Sequence, residues 1–162
     1  MDFLSDAEPR DGSASAKIAE AATANQFVTF TCGQRLFGIE IMSVREIRKW
    51  SKTTPMPNQP YGACGVLDIR GSIVEIYDLA SMLGAHSSED EVSKVILVVS
   101  LGNRDIGVIA DTVSDIIFAK ADDLRPPPNG QKGSTVSKLV KSGDQLIAVL
   151  DLDVLFPSYT SH

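Results

Sequence analysis

Residues 27–47, FVTFTCGQRLFGIEIMSVREI, lie over residues 96–116, ILVVSLGNRDIGVIADTVSDI, at a shift of 69. Gly33/Gly102, Arg35/Arg104, Gly38/Gly107, Val44/Val113 and Ile47/Ile116 are identical, and Gln34/Asn103, Ser43/Thr112 and Glu46/Asp115 are chemically close. Five identities in 21 positions exceed the roughly one expected from average residue usage. At a shift of 73, GSIVEIYDLASML faces DQLIAVLDLDVLF, which aligns Asp78–Leu79 with Asp151–Leu152. Each half therefore runs strand, Gly turn, strand, Gly, short turn, strand, loop, strand, Asp, short helix.

Outward from this repeat, the chain shows alternating apolar and polar residues and short β-branched runs, punctuated by Gly, Asn and Pro. The pattern predicts strands over 27–32, 35–39, 46–50, 66–69, 72–77, 94–101, 104–108, 114–118, 138–141 and 145–150. Short helices are expected at 79–83 and 152–156, each with an Asp (Asp78, Asp151) available to cap its first turn, and a turn or helix at 41–44. Without long helices between the strands, the fold class is mainly β. The duplication predicts two similar five-stranded barrels, related by an approximate two-fold axis and packed around a shared core. The ordered domain is expected over 26–156, its copies at about 27–83 and 96–156. Residues 1–25 and 157–162 read as tails. Residues 53–60 (TTPMPNQP) and 126–133 (PPPNGQKG) read as stiff connectors, and 84–91 as a polar one.

Composition bounds the function. The chain has 162 residues, 43% of them apolar and 22% charged, the mixture of an ordinary globule. Fifteen Lys+Arg against 21 Asp+Glu give a net charge of −6, so nucleic acid is not an expected partner. The longest apolar run, Val95–Val99, is far short of the roughly 20 residues a spanning helix needs. The acidic first residues lack the basic-then-apolar order of a signal peptide, and a cytoplasmic protein is expected. Two isolated cysteines, Cys32 and Cys64, read as free thiols.

No catalytic set emerges, and no enzyme, cofactor or metal is expected. His86 and His162 sit in polar or terminal positions, and no Cys/His grouping has zinc spacing. The NGQKGST stretch lacks the phosphate-loop order. Asp111 follows an apolar run, but its repeat partner is Met42, which argues against a phospho-acceptor site. What remains is asymmetry between the copies. Arg70, at a glycine turn, has no arginine at its counterpart near Ser142–Gly143, and a guanidinium there suits a carboxylate. Val44-Arg45-Glu46 forms a mixed cluster, and Trp50 reads as partial core. A duplicated fold with unmatched charges reads as a protein-binding module.

Gly38-Ile39-Glu40-Ile41, Val44-Arg45-Glu46-Ile47, the run Gly65–Gly71 and Ile76-Tyr77-Asp78-Leu79 resemble the CheW family of chemotaxis coupling proteins. The likeness continues through Gly107–Asp111, Val113, Ile116 and Leu124-Arg125-Pro126, covering roughly residues 26–156. It implies two SH3-like β-barrels and a non-catalytic adaptor, monomeric when isolated. The adaptor would link chemoreceptor cytoplasmic tips to the regulatory domain of the histidine kinase CheA, at membrane-associated arrays but without membrane insertion. An alternative is the same module serving a kinase pathway outside chemotaxis, in surface motility or development. The resemblance implies a receptor helix lying in a groove between the lobes at Val44, Glu46, Arg70 and Val95. It implies kinase contacts at Gly107, Val113, Ile116 and Arg125. Two departures stand out. Glu75 replaces a frequent proline, which adds a charge, and Pro126–Gly130 replaces a loop that often carries an acidic and an aromatic residue.

Overall fold

The computed structural model describes residues 25–85, 93–127 and 135–157. The expected strands form, several of them one to three residues longer than the alternation suggested. In chain order they are β1 (Gln26–Cys32), β2 (Arg35–Glu40), β3 (Val44–Lys49), β4 (Ala63–Ile69), β5 (Ser72–Asp78), β6 (Val95–Ser100), β7 (Asp105–Ala110), β8 (Thr112–Phe118), β9 (Leu124–Arg125), β10 (Val136–Ser142) and β11 (Gln145–Leu150). Two one-turn helices follow β5 and β11, α1 (Leu79–Met82) and α2 (Leu152–Leu155), and Ile41–Ser43 is a 3₁₀ turn. The helix starts differ. Asp151 accepts from the amides of Asp153 and Val154, at 3.1 and 3.3 Å, and caps α2. Asp78 makes no such cap; its Oδ2 accepts from the Ser81 hydroxyl at 3.0 Å instead.

The strands form two sheets, ordered β8-β1-β2-β11-β10-β9 and β3-β6-β7-β5-β4. Mixed sheets of five short strands are consistent with SH3-like barrels, and the two-residue β9 adds a sixth strand to one of them. The expectation that each sequence copy closes its own barrel needs correction. Strands β3–β7 are consecutive and make one barrel, inserted between β2 and β8. The other barrel is assembled from the two ends of the described chain. Each barrel thus combines the first hairpin of one copy with the later strands of the other.

Register shows that the repeat is nevertheless real. Phe27 faces Glu40, and Ile96 faces Ile109, the same pair moved by 69. Val66 faces Glu75, and Leu139 faces Ala148, the same pair moved by 73. The parallel pair Glu75–Ile106 returns as Ala148–Phe37. The chain passes between barrels at Ile41–Ser43 and again at Asp111, matched positions of the two copies.

Alternation divides the apolar residues into three cores. Ile69, Val74, Ile76, Ile96 and Val98 fill the inserted barrel, with half-buried Trp50 against them. Phe27, Val140, Ile147 and Val149 fill the terminal barrel. The opposite faces of the same strands, including Val28, Phe30, Phe37, Leu97, Val99 and Val108, meet between the barrels in the shared core. Strands β1 and β6 are buried on both faces, which is why they read as nearly continuous apolar runs. Gly38 and Gly107 occupy one position in the two copies, and each faces the inside of its barrel, where a side chain has little room.

Cys32 is buried and Cys64 half-buried, and the two are not joined by a disulfide. Burial, with the nearby Asp111 carboxylate, pushes the Cys32 thiol up to about 12. No helix among the described residues is long and apolar enough to cross a membrane. The tails 1–24 and 158–162, the loop carrying His86, and most of the 126–133 connector lie outside the described residues.

Candidate functional site

Arg70 stands at the tip of the β4–β5 hairpin. It and Gly71 have φ of 55° and 87°, the pair of left-handed conformations a two-residue I′ turn requires. The Asp68 carboxylate accepts from the Gly71 amide at 2.8 Å and braces the turn. In the other copy the matching residue is Gly143, at φ 61°. Arginine therefore stands where the backbone favours glycine. Its side chain is 77% exposed and reaches Glu46 on β3, Nη1 to Oε1 at 2.5 Å.

Glu46 is positioned by a bulge. The register of β3 on β6 slips between Val44 and Glu46. Val44 consequently faces Val99 on the seam, while Glu46 faces Val98, which belongs to the inserted barrel's own core. The Glu46 side chain is only 20% exposed, and a second arginine, Arg48, approaches its Oε2 at 3.5 Å. Arg45 pairs with Asp105 at 3.2 Å on the same rim. Arg45, Glu46, Arg70 and Asp105 surround a cleft of about 250 Å³ floored by Ile69, Val74 and Val98. The result is the charged mouth of an apolar barrel.

The terminal barrel has the same opening with different chemistry. Its cleft of about 370 Å³ is lined by Thr29, Ser114, Asp115, Ser142 and Gln145. Asp115, the counterpart of Glu46, has no arginine partner among the described residues; its carboxylate accepts from the Ile116 amide at 2.8 Å. Thr29, buried in place of Val98, exchanges hydrogen bonds with the Asp115 backbone at 3.0 and 3.1 Å.

The four expected receptor residues do not share one groove. Glu46 and Arg70 lie together at the inserted barrel's mouth. Val44 and Val95 are half-buried on the seam side, against the shared core. They sit at opposite ends of the β3–β6 ladder, Val44 facing Val99 and Val95 facing Lys49, roughly 13 Å apart along the strand. A separate groove of about 480 Å³ runs between the barrels, floored by Ile39, Leu150 and Leu152. The Glu40–Lys138 pair, 3.4 Å apart, stands over it.

The expected kinase residues also disperse. Gly107 is buried, and a Cβ there would come within 2.6 Å of Ile76 Cδ1 and 3.0 Å of Ile96 Cγ2. The position is closely packed and presents no side-chain surface. Val113 is half-buried against the shared core, Ile116 is 50% exposed on β8, and Arg125 is exposed on β9. The Arg125 guanidinium donates to the carbonyls of Asp122 and Leu124. Glu75 is not a lone charge. It accepts from Arg104 at 3.3 Å and from the Tyr77 hydroxyl at 3.1 Å.

Sequence reasoning passed over Arg48 and Asp105. A signal existed in the repeat: Arg45, Arg48, Arg70 and Asp105 align with Ser114, Ile117, Gly143 and Leu36. Every charged member of the mouth except Glu46 is a mismatch between copies. It also passed over exposed apolar residues, including Met42 at 73% and the matched pair Ile73 and Leu146. No group of three or more His, Cys, Asp or Glu able to hold a metal occurs among the described residues.

Residues 26–159 match the family model of the CheW-like domain. The chain is 34% identical over 136 residues to Chemotaxis protein CheW of Rhizobium meliloti (strain 1021), covering 82% of this chain and 88% of that protein. It is similar to the crystal structure of scaffolding protein TtCheW from Thermoanaerobacter tengcongensis, with TM-score 0.77 and 25% identity, covering 85% of this chain and 96% of the other. It is also 29% identical over 115 residues to Protein FrzA of Myxococcus xanthus, covering 71% and 72% of the two chains.

Proposed function

The chain belongs to the CheW-like domain family, and we propose that it works as a non-catalytic scaffolding adaptor, holding chemoreceptor cytoplasmic tips in register with the regulatory domain of the kinase CheA. The observation that carries this reading is the asymmetry of two matched barrels. One mouth presents Arg70, Glu46, Arg45 and Asp105, with Arg48 next to Glu46, and the other presents hydroxyls, amides and the Asp115 carboxylate without an arginine in its lining. Folding alone does not require that difference, since both barrels close with one topology.

In this reading Arg70 is the receptor-side contact. Its guanidinium is exposed and suits bidentate capture of a carboxylate, while Glu46 holds it in place when no partner is bound. Val44 and Val95 add apolar contact from the seam. Val113, Ile116 and Arg125, all on the terminal barrel, form the kinase side, and Gly107 supports the inserted barrel from within. Both partners then bias each other through one rigid body, because the shared core joins the barrels.

Pulldowns with a purified CheA regulatory domain and a receptor cytoplasmic fragment test the reading. Binding to both is expected; binding to neither would reject it. A second reading, the same coupling role in a kinase pathway outside chemotaxis, draws on the similarity to Protein FrzA. Selective binding to a receptor and kinase from such a pathway would favour it.

A further inference from the structure

We propose that Arg48 is a positioning residue that takes over the Glu46 carboxylate when Arg70 turns to a carboxylate on the partner. The proposal rests on the adaptor reading above, in which the Arg70 end of the inserted barrel meets that partner. Three observations lead to it. Glu46 lies between two guanidinium groups, with Oε1 on Arg70 at 2.5 Å and Oε2 near Arg48 at 3.5 Å. Arg48 Nε is buried and has no hydrogen-bond partner among the described residues. Residues 46 and 48 are two apart on β3, facing Val98 and Ile96 of one apolar core.

The physical need is clear. A partner carboxylate that engages Arg70 must displace Glu46 or share the guanidinium with it. Glu46, 20% exposed and directed over Val98, cannot be left without a cation at low cost. Arg48 already has Nη1 at 3.5 Å from that carboxylate, and its buried Nε–H has no acceptor among the described residues, so the guanidinium gains from a closer one. A small shift of the carboxylate from Arg70 to Arg48 therefore conserves its charge pairing and frees the exposed guanidinium. The terminal barrel has no counterpart of this exchange, since Ile117 and Gly143 replace the two arginines. The partner chemistry is an Asp or Glu side chain on a surface able to cover the mouth.

Arg70→Ala imitates release of Arg70. In nitrogen-15 NMR of that full-length variant, the Arg48 Nε–H resonance is expected to move downfield and exchange more slowly with water. An unchanged resonance would overturn the handover. Binding supplies the second arm, with a purified receptor cytoplasmic fragment as probe. Arg48→Met should weaken binding about three- to fivefold while Glu46 is present, as expected for breaking one partly exposed ion pair. In the Glu46→Gln background, Arg48→Met should have no effect within about twofold. An equal loss in both backgrounds would contradict the proposal, since Arg48 would then act without Glu46. Absence of binding by the wild-type protein would reject the adaptor reading, and the NMR comparison would still decide the handover.

Discussion

The inserted barrel and the terminal barrel share register, strand order and a glycine at the same crowded point, yet differ at their mouths. One mouth is ringed by ion pairs over an apolar floor, and the other by Thr, Ser, Gln and Asp115 over Leu36, Ile117 and Ile147. Interior positions answer to packing in both barrels, so most stay apolar, with Thr29 in place of Val98 as an exception. Rim positions answer to whatever meets them from outside, so they diverge. The copies therefore act as controls for each other: a substitution can be made at matched positions, and the difference assigned to local context.

The largest effect is expected inside. Gly107→Ala should cost about 2 to 3 kcal/mol in urea denaturation, because the new methyl meets Ile76 Cδ1 at 2.6 Å and Ile96 Cγ2 at 3.0 Å. Gly38→Ala, whose methyl meets Ile147 Cγ2 at 3.3 Å, should cost about 1 kcal/mol. Equal costs would mean that the two interiors are more alike than their packing distances imply.

A smaller difference is expected where the chain crosses between barrels. Asp111 accepts from the Gly33 amide at 2.9 Å and ties the second crossing to the β1–β2 turn. At the first crossing, its counterpart Met42 is 73% exposed. Asp111→Ala should lower stability by about 1 to 2 kcal/mol, against under about 0.5 kcal/mol for Met42→Ala. Matching losses at the two crossings would remove the clamp from the account.

Arg70→Gly sharpens the comparison by giving the inserted barrel the residue type of its twin. Stability should change by under about 1 kcal/mol, since relief of the left-handed strain offsets a more flexible unfolded chain and a lost exposed pair. Receptor-fragment binding should nevertheless fall, as read by calorimetry. Unimpaired binding would deny Arg70 its role.

The smallest effect concerns the thiols. Cys32 titrates near 12 in the fold against a reference value of 9.0, so the folded state holds its proton more tightly. That contribution to stability is fully present below about pH 9 and is lost as pH rises toward 12. Thiol titration at pH 8 should modify half-buried Cys64 first and Cys32 only on unfolding. Simultaneous modification would contradict the burial of Cys32.

Much of this fold was legible in the alternation and the repeat. Strand positions, the Gly33 and Gly71 turns and the shared core follow from period-two burial and from glycines at tight turns. Which hairpin joins which barrel was not legible, because matched strands carry matched patterns. Val28 and Leu97, for example, read alike whether they pair within a copy or across copies. The site was half legible. Arg70 stood out as an arginine at a glycine position, and Glu46 by resemblance. Their separation from Val44 was hidden in a one-residue bulge, which leaves no signature in the pattern yet turns Glu46 to the opposite face. The crowding around Gly107 was not legible, because a glycine's identity does not reveal which side of it is packed.

NMR chemical-shift mapping during titration with a purified receptor cytoplasmic fragment tests the central claim most directly. Shifts concentrated at Val44, Glu46, Arg48 and Arg70, with little change at the matched Val113, Asp115, Ile117 and Gly143, are the predicted result. Comparable shifts at both mouths, or shifts confined to the terminal barrel, would contradict it.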